Sequence, residues 1–273
     1  MIAILGTGKM GEALLSGLLR AGWAPSGVVA AVRREERAEE IRSRYGVQVM
    51  DAPAAAKLAD TLILGVKPQD MGKLLAEIAP GLAPGRLVVS VAAGITTSFI
   101  ERRLPGEVPV IRVMSNTPVL VDRAMSVISA GAHAGEEHLR RAEELLRPVG
   151  EVLRIPESQQ DAATALSGSG PAYVYYLVES MVDAGILLGM ARGTALEMVI
   201  QAVYGAATML RETGEHPVIL REAVTSPAGT TISAIRELER HVVRAAFLAA
   251  IEAARDRGRE LGADPSPPPA QGA

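Results

Sequence analysis

Two stretches of the chain hold the residue types that chemistry would need. The first is Gly6-Thr7-Gly8-Lys9-Met10-Gly11, three glycines spaced G-x-G-x-x-G behind the apolar run Ile2-Ala3-Ile4-Leu5 and ahead of a helical pattern over Glu12 to Ala21. At such a strand–turn–helix junction the free backbone N–H groups face a dinucleotide pyrophosphate. Gly6 would permit the turn, Gly8 would let the backbone approach phosphates, and Gly11 would allow close helix–strand packing. The spacing gains weight from this setting, since a chain with 27 glycines can produce it by accident. The second stretch is Ser226-Pro227-Ala228-Gly229-Thr230-Thr231, a hydroxyl-rich turn before a helix read over Ile232 to Glu239. Exposed N–H groups of Gly229, Thr230 and Thr231 at a helix start form a seat for an anion such as a carboxylate, and the hydroxyls could serve that anion or a neighbouring nitrogen. An ordinary N-cap has the same composition, so these residues alone leave both readings open.

Between them lie further candidates for dinucleotide contacts. The run Val28 to Val32 reads as a strand ending in Arg33-Arg34. An acid there would hold a ribose 2′-hydroxyl and repel a 2′-phosphate, whereas guanidiniums attract the phosphate, which favours NADPH and leaves NADH possible. The other reading is that the arginines only cap the next helix with Glu35 and Glu36. Gly65-Val66-Lys67-Pro68 closes the buried run from Thr61, and proline stops that strand at the edge where open α/β sheets bind cofactors. Val91-Ala92-Ala93 closes the run from Leu87, small enough for a ring or ribose to pack against.

The elements that position these groups alternate strand and helix up to about residue 157, with strands also read at 47–50, 110–114, 125–129 and 150–155. That alternation predicts an α/β fold, a doubly wound Rossmann-type parallel sheet over residues 1–157. Thr96 or Thr97 is expected to cap the helix ending at Leu104, with Glu101 supporting the cap. From Gln159 to Leu261 the pattern is helical throughout, giving an all-α second domain over 158–263, and the tail 264–273 (DPSPPPAQGA) is expected to be disordered. A helix from Pro171 to about Leu188 is apolar around much of its circumference, and about a hundred residues cannot bury it alone, so a homodimer through this domain is expected.

Composition excludes several alternatives. The chain has 273 residues, 48% hydrophobic, and its net charge of −3 offers no basic excess for nucleic acid. With no cysteine and four histidines lacking H-E-x-x-H spacing, no metal site is expected. The longest apolar stretch, Val174 to Met190, carries Glu179 and Asp183 and falls short of a membrane span, and no secretory signal is visible, so the expected location is cytoplasmic.

The chain resembles the pyrroline-5-carboxylate reductase family end to end. The resemblance runs through VKPQ (Val66 to Gln69), SVAAGIT (Ser90 to Thr96), NTP (Asn116 to Pro118), ALSGSGPAYV (Ala165 to Val174), DAGILLGM (Asp183 to Met190) and VTSPAGTTI (Val224 to Ile232). It implies hydride transfer from NADPH or NADH to the cyclic imine L-1-pyrroline-5-carboxylate, giving L-proline in the last step of proline biosynthesis. It also implies dimers intertwined through the helical domain, sometimes assembled into larger rings. By resemblance Thr231 meets the substrate nitrogen, while Thr230 and Thr231 N–H groups hold its carboxylate from the partner subunit. The chain departs from the family's pattern at Ser115, at Ala228 where a second glycine is usual, near Asp51-Ala52, and at Val242-Val243. A methyl at Ala228 should perturb its turn mildly if φ is negative. The rival is a two-domain NADP-dependent reductase of another small carboxylate or imine, of a hydroxy acid, or of a deazaflavin cofactor. Hydroxy-acid enzymes of this plan use a helical-domain lysine as acid/base, and here the last lysine is Lys73. A catalytically silent NADP(H) sensor would have no reason to keep the turn at Ser226 to Thr231.

Overall fold

The computed structural model describes residues 1–262, so the tail read at 264–273 lies outside the described residues. The described residues divide into two compact units, one of Met1–Ser169 together with residues 254–262, the other of Gly170–Ala253.

In chain order the first unit contains β1 (Ile2–Leu5), α1 (Lys9–Arg20), β2 (Val28–Ala31), α2 (Glu35–Tyr45), β3 (Gln48–Met50), α3 (Ala52–Leu58), β4 (Thr61–Leu64) and α4 (Pro68–Ile78). Then follow β5 (Leu87–Ser90), α5 (Thr97–Glu101), β6 (Val110–Met114), β7 (Ala124–Ala130), α6 (Glu136–Leu146), β8 (Gly150–Arg154) and the short α7 (Gln160–Ala163). The strands form an eight-stranded sheet in the order β3-β2-β1-β4-β5-β6-β7-β8. Both faces are covered, which is why the strands read as unbroken apolar runs. Ile2 and Ile4 of β1 pack with Leu14, Leu18 and Leu145 on one face, while Ala3 and Leu5 pack with Ala55, Leu75 and Ile78 on the other.

The sheet departs from the all-parallel expectation at one place. The six strands from β3 to β6 run parallel, but β7 pairs antiparallel with β6, and β8 follows β7 in parallel. The link between β6 and β7 covers only residues 115 to 123, too short for the crossover that a parallel return needs. At α5 the cap is Thr96, whose Oγ1 accepts the Phe99 N–H at 3.1 Å. Glu101 takes no part in that cap; its Oε1 accepts the Ala132 N–H at 2.7 Å, across to the chain after β7.

The second unit is helical: α8 (Gly170–Leu187), α9 (Arg192–Thr213), α10 (Pro217–Ala223), α11 (Thr230–Arg240) and the first part of α12 (Val243–Gly262). Gly185 lets α8 approach α9, since a Cβ there would lie 2.9 Å from the Ala195 Cβ. Among this unit's described hydrophobic side chains only Val182 and Ala195 are buried, while Tyr175, Tyr176, Leu187, Leu188 and Tyr204 are exposed. A single copy therefore leaves most of its apolar helix surface uncovered. No described helix is long and apolar enough to cross a membrane.

Candidate functional site

The glycine loop owes its shape to backbone packed on backbone. Gly6 has φ +97°, and a Cβ there would meet Val66 at 2.8 Å. A Cβ on Gly11 would run into the Gly6 carbonyl oxygen, and one on Gly65 would stop 2.6 Å from the same atom. Only glycine at all three positions lets the β1 turn, the start of α1 and the end of β4 converge. Gly8 differs: its φ of −72° suits any residue, and a Cβ would meet nothing within 4 Å. The space before its backbone is open, and Gly8 caps α1 without a side-chain bond, so the first-turn N–H groups of Lys9, Met10 and Gly11 have no intrahelical acceptor. Beside them the Thr7 hydroxyl is buried without a hydrogen-bond partner.

This loop opens onto a cleft of about 940 Å³ at the carboxyl edge of the sheet. Gly6, Thr7, Gly8, Arg33, Arg34, Gly65, Val66 and Lys67 line it together, as the sequence reading grouped them. Of the other candidates, Lys9, Met10 and Gly11 form the first turn of α1, and Pro68 is the first residue of α4. Val91, Ala92 and Ala93 follow β5 outside the cleft lining, and Ala92 is itself buried in the core. An unpaired buried hydroxyl and a bare glycine facing open space are the features a pyrophosphate would complete, so these residues fit a dinucleotide.

The cleft also contains residues that sequence reading missed. Arg37 on α2 donates to the Thr7 carbonyl at 3.2 Å and to Glu12 of α1, and pairs with Glu40 at 2.6 Å. Glu12 further accepts the Tyr45 hydroxyl at 2.8 Å and Arg44 at 3.1 Å. Burial acts to raise the Glu12 carboxyl, but the bonds from Arg37 and Tyr45 and the two arginine charges outweigh it and hold the group below the usual carboxylate range. Burial, reinforced by Glu12, pushes the Tyr45 phenol up. Arg37 is thus a strut between the glycine loop and α2. Asp70, in the first turn of α4, accepts Arg33 Nη1 at 3.2 Å, while Arg34 has no partner among the described residues. Asp51 caps α3 by accepting the Ala54 N–H at 2.7 Å.

At the end of β6 the NTP motif has a structural task. Asn116 donates from Nδ2 to the Ser167 carbonyl at 3.2 Å and accepts the Met125 N–H at 3.0 Å. It ties the start of β7 to Thr164–Gly168, a π-helical turn that ends in the first two residues of the Ser167-Gly168-Ser169-Gly170 stretch. Nearby, Arg112 of β6 pairs with Glu157 and Asp161 at 3.4 Å each, and Glu157 accepts the Thr97 N–H at 2.8 Å.

In the helical unit, Gly229 caps α11 without a side-chain bond, leaving the first-turn N–H groups of Thr230 and Thr231 free of intrahelical acceptors. The Ser226–Gly229 turn closes through Gly229 N–H to the Ser226 carbonyl at 3.1 Å, and the Ser226 hydroxyl lies against Gly229 where a Cβ would sit. Neither threonine hydroxyl has a partner among the described residues. Ala228 has φ +56°, so the condition for a mild effect of its methyl is not met. The third residue of this turn needs positive φ, as in a type II turn, which explains a glycine preference there.

Comparison with known proteins matches residues 157–261 to a family described as pyrroline-5-carboxylate reductase dimerisation, and residues 1–94 to one described as NADP oxidoreductase, coenzyme F420-dependent. The pyrroline-5-carboxylate reductase of Corynebacterium melassecola is 45% identical, over 96% of this chain and 98% of that protein. That of Methanosarcina acetivorans is 41% identical over 96% and 97%. A solved pyrroline-5-carboxylate reductase from Coxiella burnetii is 34% identical, with a TM-score of 0.91 over 96% of this chain and 98% of that one. The Plasmodium falciparum pyrroline carboxylate reductase, solved with NADP bound, is 26% identical with a TM-score of 0.86, over 96% and 97%. Near-complete coverage in both directions, with the dimerisation domain on the helical half, places this chain in the pyrroline-5-carboxylate reductase family.

Proposed function

We propose that the chain reduces L-1-pyrroline-5-carboxylate to L-proline, with NADPH preferred over NADH, as a homodimer formed through the helical unit. The observation that carries the reaction is the start of α11, where free N–H groups and two unpartnered threonine hydroxyls adjoin one another in a chain that also has a dinucleotide cleft. Thr230 and Thr231 N–H groups hold the substrate carboxylate, with Ser226 and Gly229 shaping the turn. The Thr231 hydroxyl bonds the ring nitrogen. Bound NAD(P)H supplies the hydride that reduces the C=N bond. A protonated cyclic imine is already electrophilic, so positioning contributes much of the rate and no strong base is needed.

In the first unit, the Gly6 to Gly11 loop receives the pyrophosphate, Arg33 and Arg34 the 2′-phosphate, and Gly65 to Pro68 with Val91 to Ala93 flank the nucleoside parts. The unburied helical surface supports the homodimer, and rings of dimers extend the same reading; the mass in solution checks both. A cytoplasmic location belongs with this biosynthetic role, and cell fractionation tests it. The enzymatic test follows the loss of reduced-nicotinamide absorbance with pyrroline-5-carboxylate and either cofactor. Turnover with NADPH above that with NADH is expected, and no turnover with either would overturn the reading.

A further inference from the structure

The three arginines after β2 stand in three different states. Arg37 is held by the Thr7 carbonyl, Glu12 and Glu40. Arg34 has no partner among the described residues. Arg33 reaches away from its own strand to Asp70 on α4, through one Nη1–Oδ1 contact of 3.2 Å with the two side chains 54% and 37% exposed. A single-contact, solvated ion pair is weak and exchangeable. Asp70 lies in the first turn of α4, where the helix dipole favours a carboxylate.

We propose that Asp70 is a specificity-determining residue, a resident counterion that holds Arg33 until a 2′-phosphate takes its place. This rests on the reading that Arg33 helps bind the 2′-phosphate. A phosphate offers more charge and two oxygens to a guanidinium fork, so it displaces a carboxylate held by one contact. Binding of a 2′-phosphorylated dinucleotide then includes breaking the Arg33–Asp70 pair and leaving the Asp70 charge near the phosphate. A dinucleotide with a free 2′-hydroxyl leaves the pair intact. Asp70 therefore lowers the advantage of NADPH over NADH that Arg33 and Arg34 create, and it explains how a cleft lined by arginines remains open to both.

Calorimetric titration with NADP⁺ and NAD⁺ tests this without recourse to turnover, using the wild type, Asp70→Asn, Arg33→Ala and the double variant. Asp70→Asn is expected to tighten NADP⁺ about two- to fivefold, the range of an exposed ion pair, and to leave NAD⁺ unchanged. In the Arg33→Ala background the same substitution should have no effect on NADP⁺, because the coupling runs through Arg33. If Arg33→Ala weakens NADP⁺ and NAD⁺ equally, the 2′-phosphate reading fails. If Arg33→Ala selectively weakens NADP⁺ but Asp70→Asn leaves it unchanged or weaker, the Asp70 proposal alone is overturned. Equal tightening by Asp70→Asn with and without Arg33 would also overturn it, showing only a general charge effect.

Discussion

Replacing Gly8 and Gly11 separately by alanine should separate binding from folding within one motif. At Gly8 the backbone conformation suits alanine and a Cβ meets nothing within 4 Å. The unfolded chain loses freedom worth about 0.4–1 kcal/mol. Gly8 is also the N-cap of α1, and alanine is the poorer cap by a similar amount, roughly 0.5–1 kcal/mol, so Gly8→Ala should leave the stability of the ligand-free protein nearly unchanged. The methyl occupies the space before the α1 N-terminus, and the displacement costs a bound dinucleotide about 1–3 kcal/mol, weakening NADPH by a factor of about 5 to 150. At Gly11 the same methyl collides with the Gly6 carbonyl and comes within 3.3 Å of Ile4 Cγ2. The first obstacle is backbone and yields little, so the upper part of the 1–3 kcal/mol overpacking range applies, roughly 2–3 kcal/mol. Alanine's better helix propensity returns about 1 kcal/mol, leaving a loss of about 1–2 kcal/mol. For a chain of this size that lowers the melting temperature by about 2–8 °C. Thermal melts of the ligand-free variants and calorimetric NADPH titration measure both effects. The reasoning is refuted if Gly8→Ala lowers the melting temperature as much as Gly11→Ala, or if it leaves NADPH affinity untouched.

Ala228→Gly should raise the melting temperature, since removing a left-handed methyl returns about 1–2 kcal/mol against about 0.4–1 kcal/mol of added unfolded-state freedom; a lower melting temperature would show that the turn is unstrained. Thr231→Ala should reduce kcat/KM by a factor of about 5 to 150, one lost hydrogen bond of about 1–3 kcal/mol, with Thr231→Ser restoring most of it; wild-type kinetics in the alanine variant would remove Thr231 from the reaction. The Glu12 carboxyl lies below its unfolded value of 4.5, so its contribution to stability is full above that value and is lost as pH falls through the lower folded value. Glu12→Gln should therefore lose less stability than the wild type on acidification below about pH 4.5, and parallel denaturation midpoints in acid would contradict this.

Local chemistry made much of this protein readable from its sequence. The strand runs, the backbone roles of Gly6 and Gly11, a threonine cap at 96 or 97 and the shift to helices all follow from properties of neighbouring residues. The structure selects Thr96 and ends that helix at Glu101, short of the expected Leu104. What escaped depends on partners distant in the chain. Arg37 looked like any charge on a solvated helix until the fold carried Thr7 and Glu12 to it. Arg33 was legible as a cation but its partner Asp70 was not, because the two follow different strands. The direction of β7 was readable in principle from the short link after Met114, yet strand and helix alternation masked it. Ala228 shows the limit of residue types: alanine gives no sign of positive φ, and only its place behind Pro227 before Gly229 hinted at a turn.

The distribution of lysine gives this protein an unusual covalent profile. Its four lysines are Lys9, Lys57, Lys67 and Lys73, all in the first unit, and two of them line the cleft while Lys9 opens α1 beside it. Acylating or biotinylating reagents aimed at lysine therefore label only the nucleotide unit. Lys57, on α3, serves as an internal reference against which protection of the other three reports occupancy by mass spectrometry. The dimerisation domain receives no lysine label, so the same reagent can map one half of the molecule without altering the surface of the other.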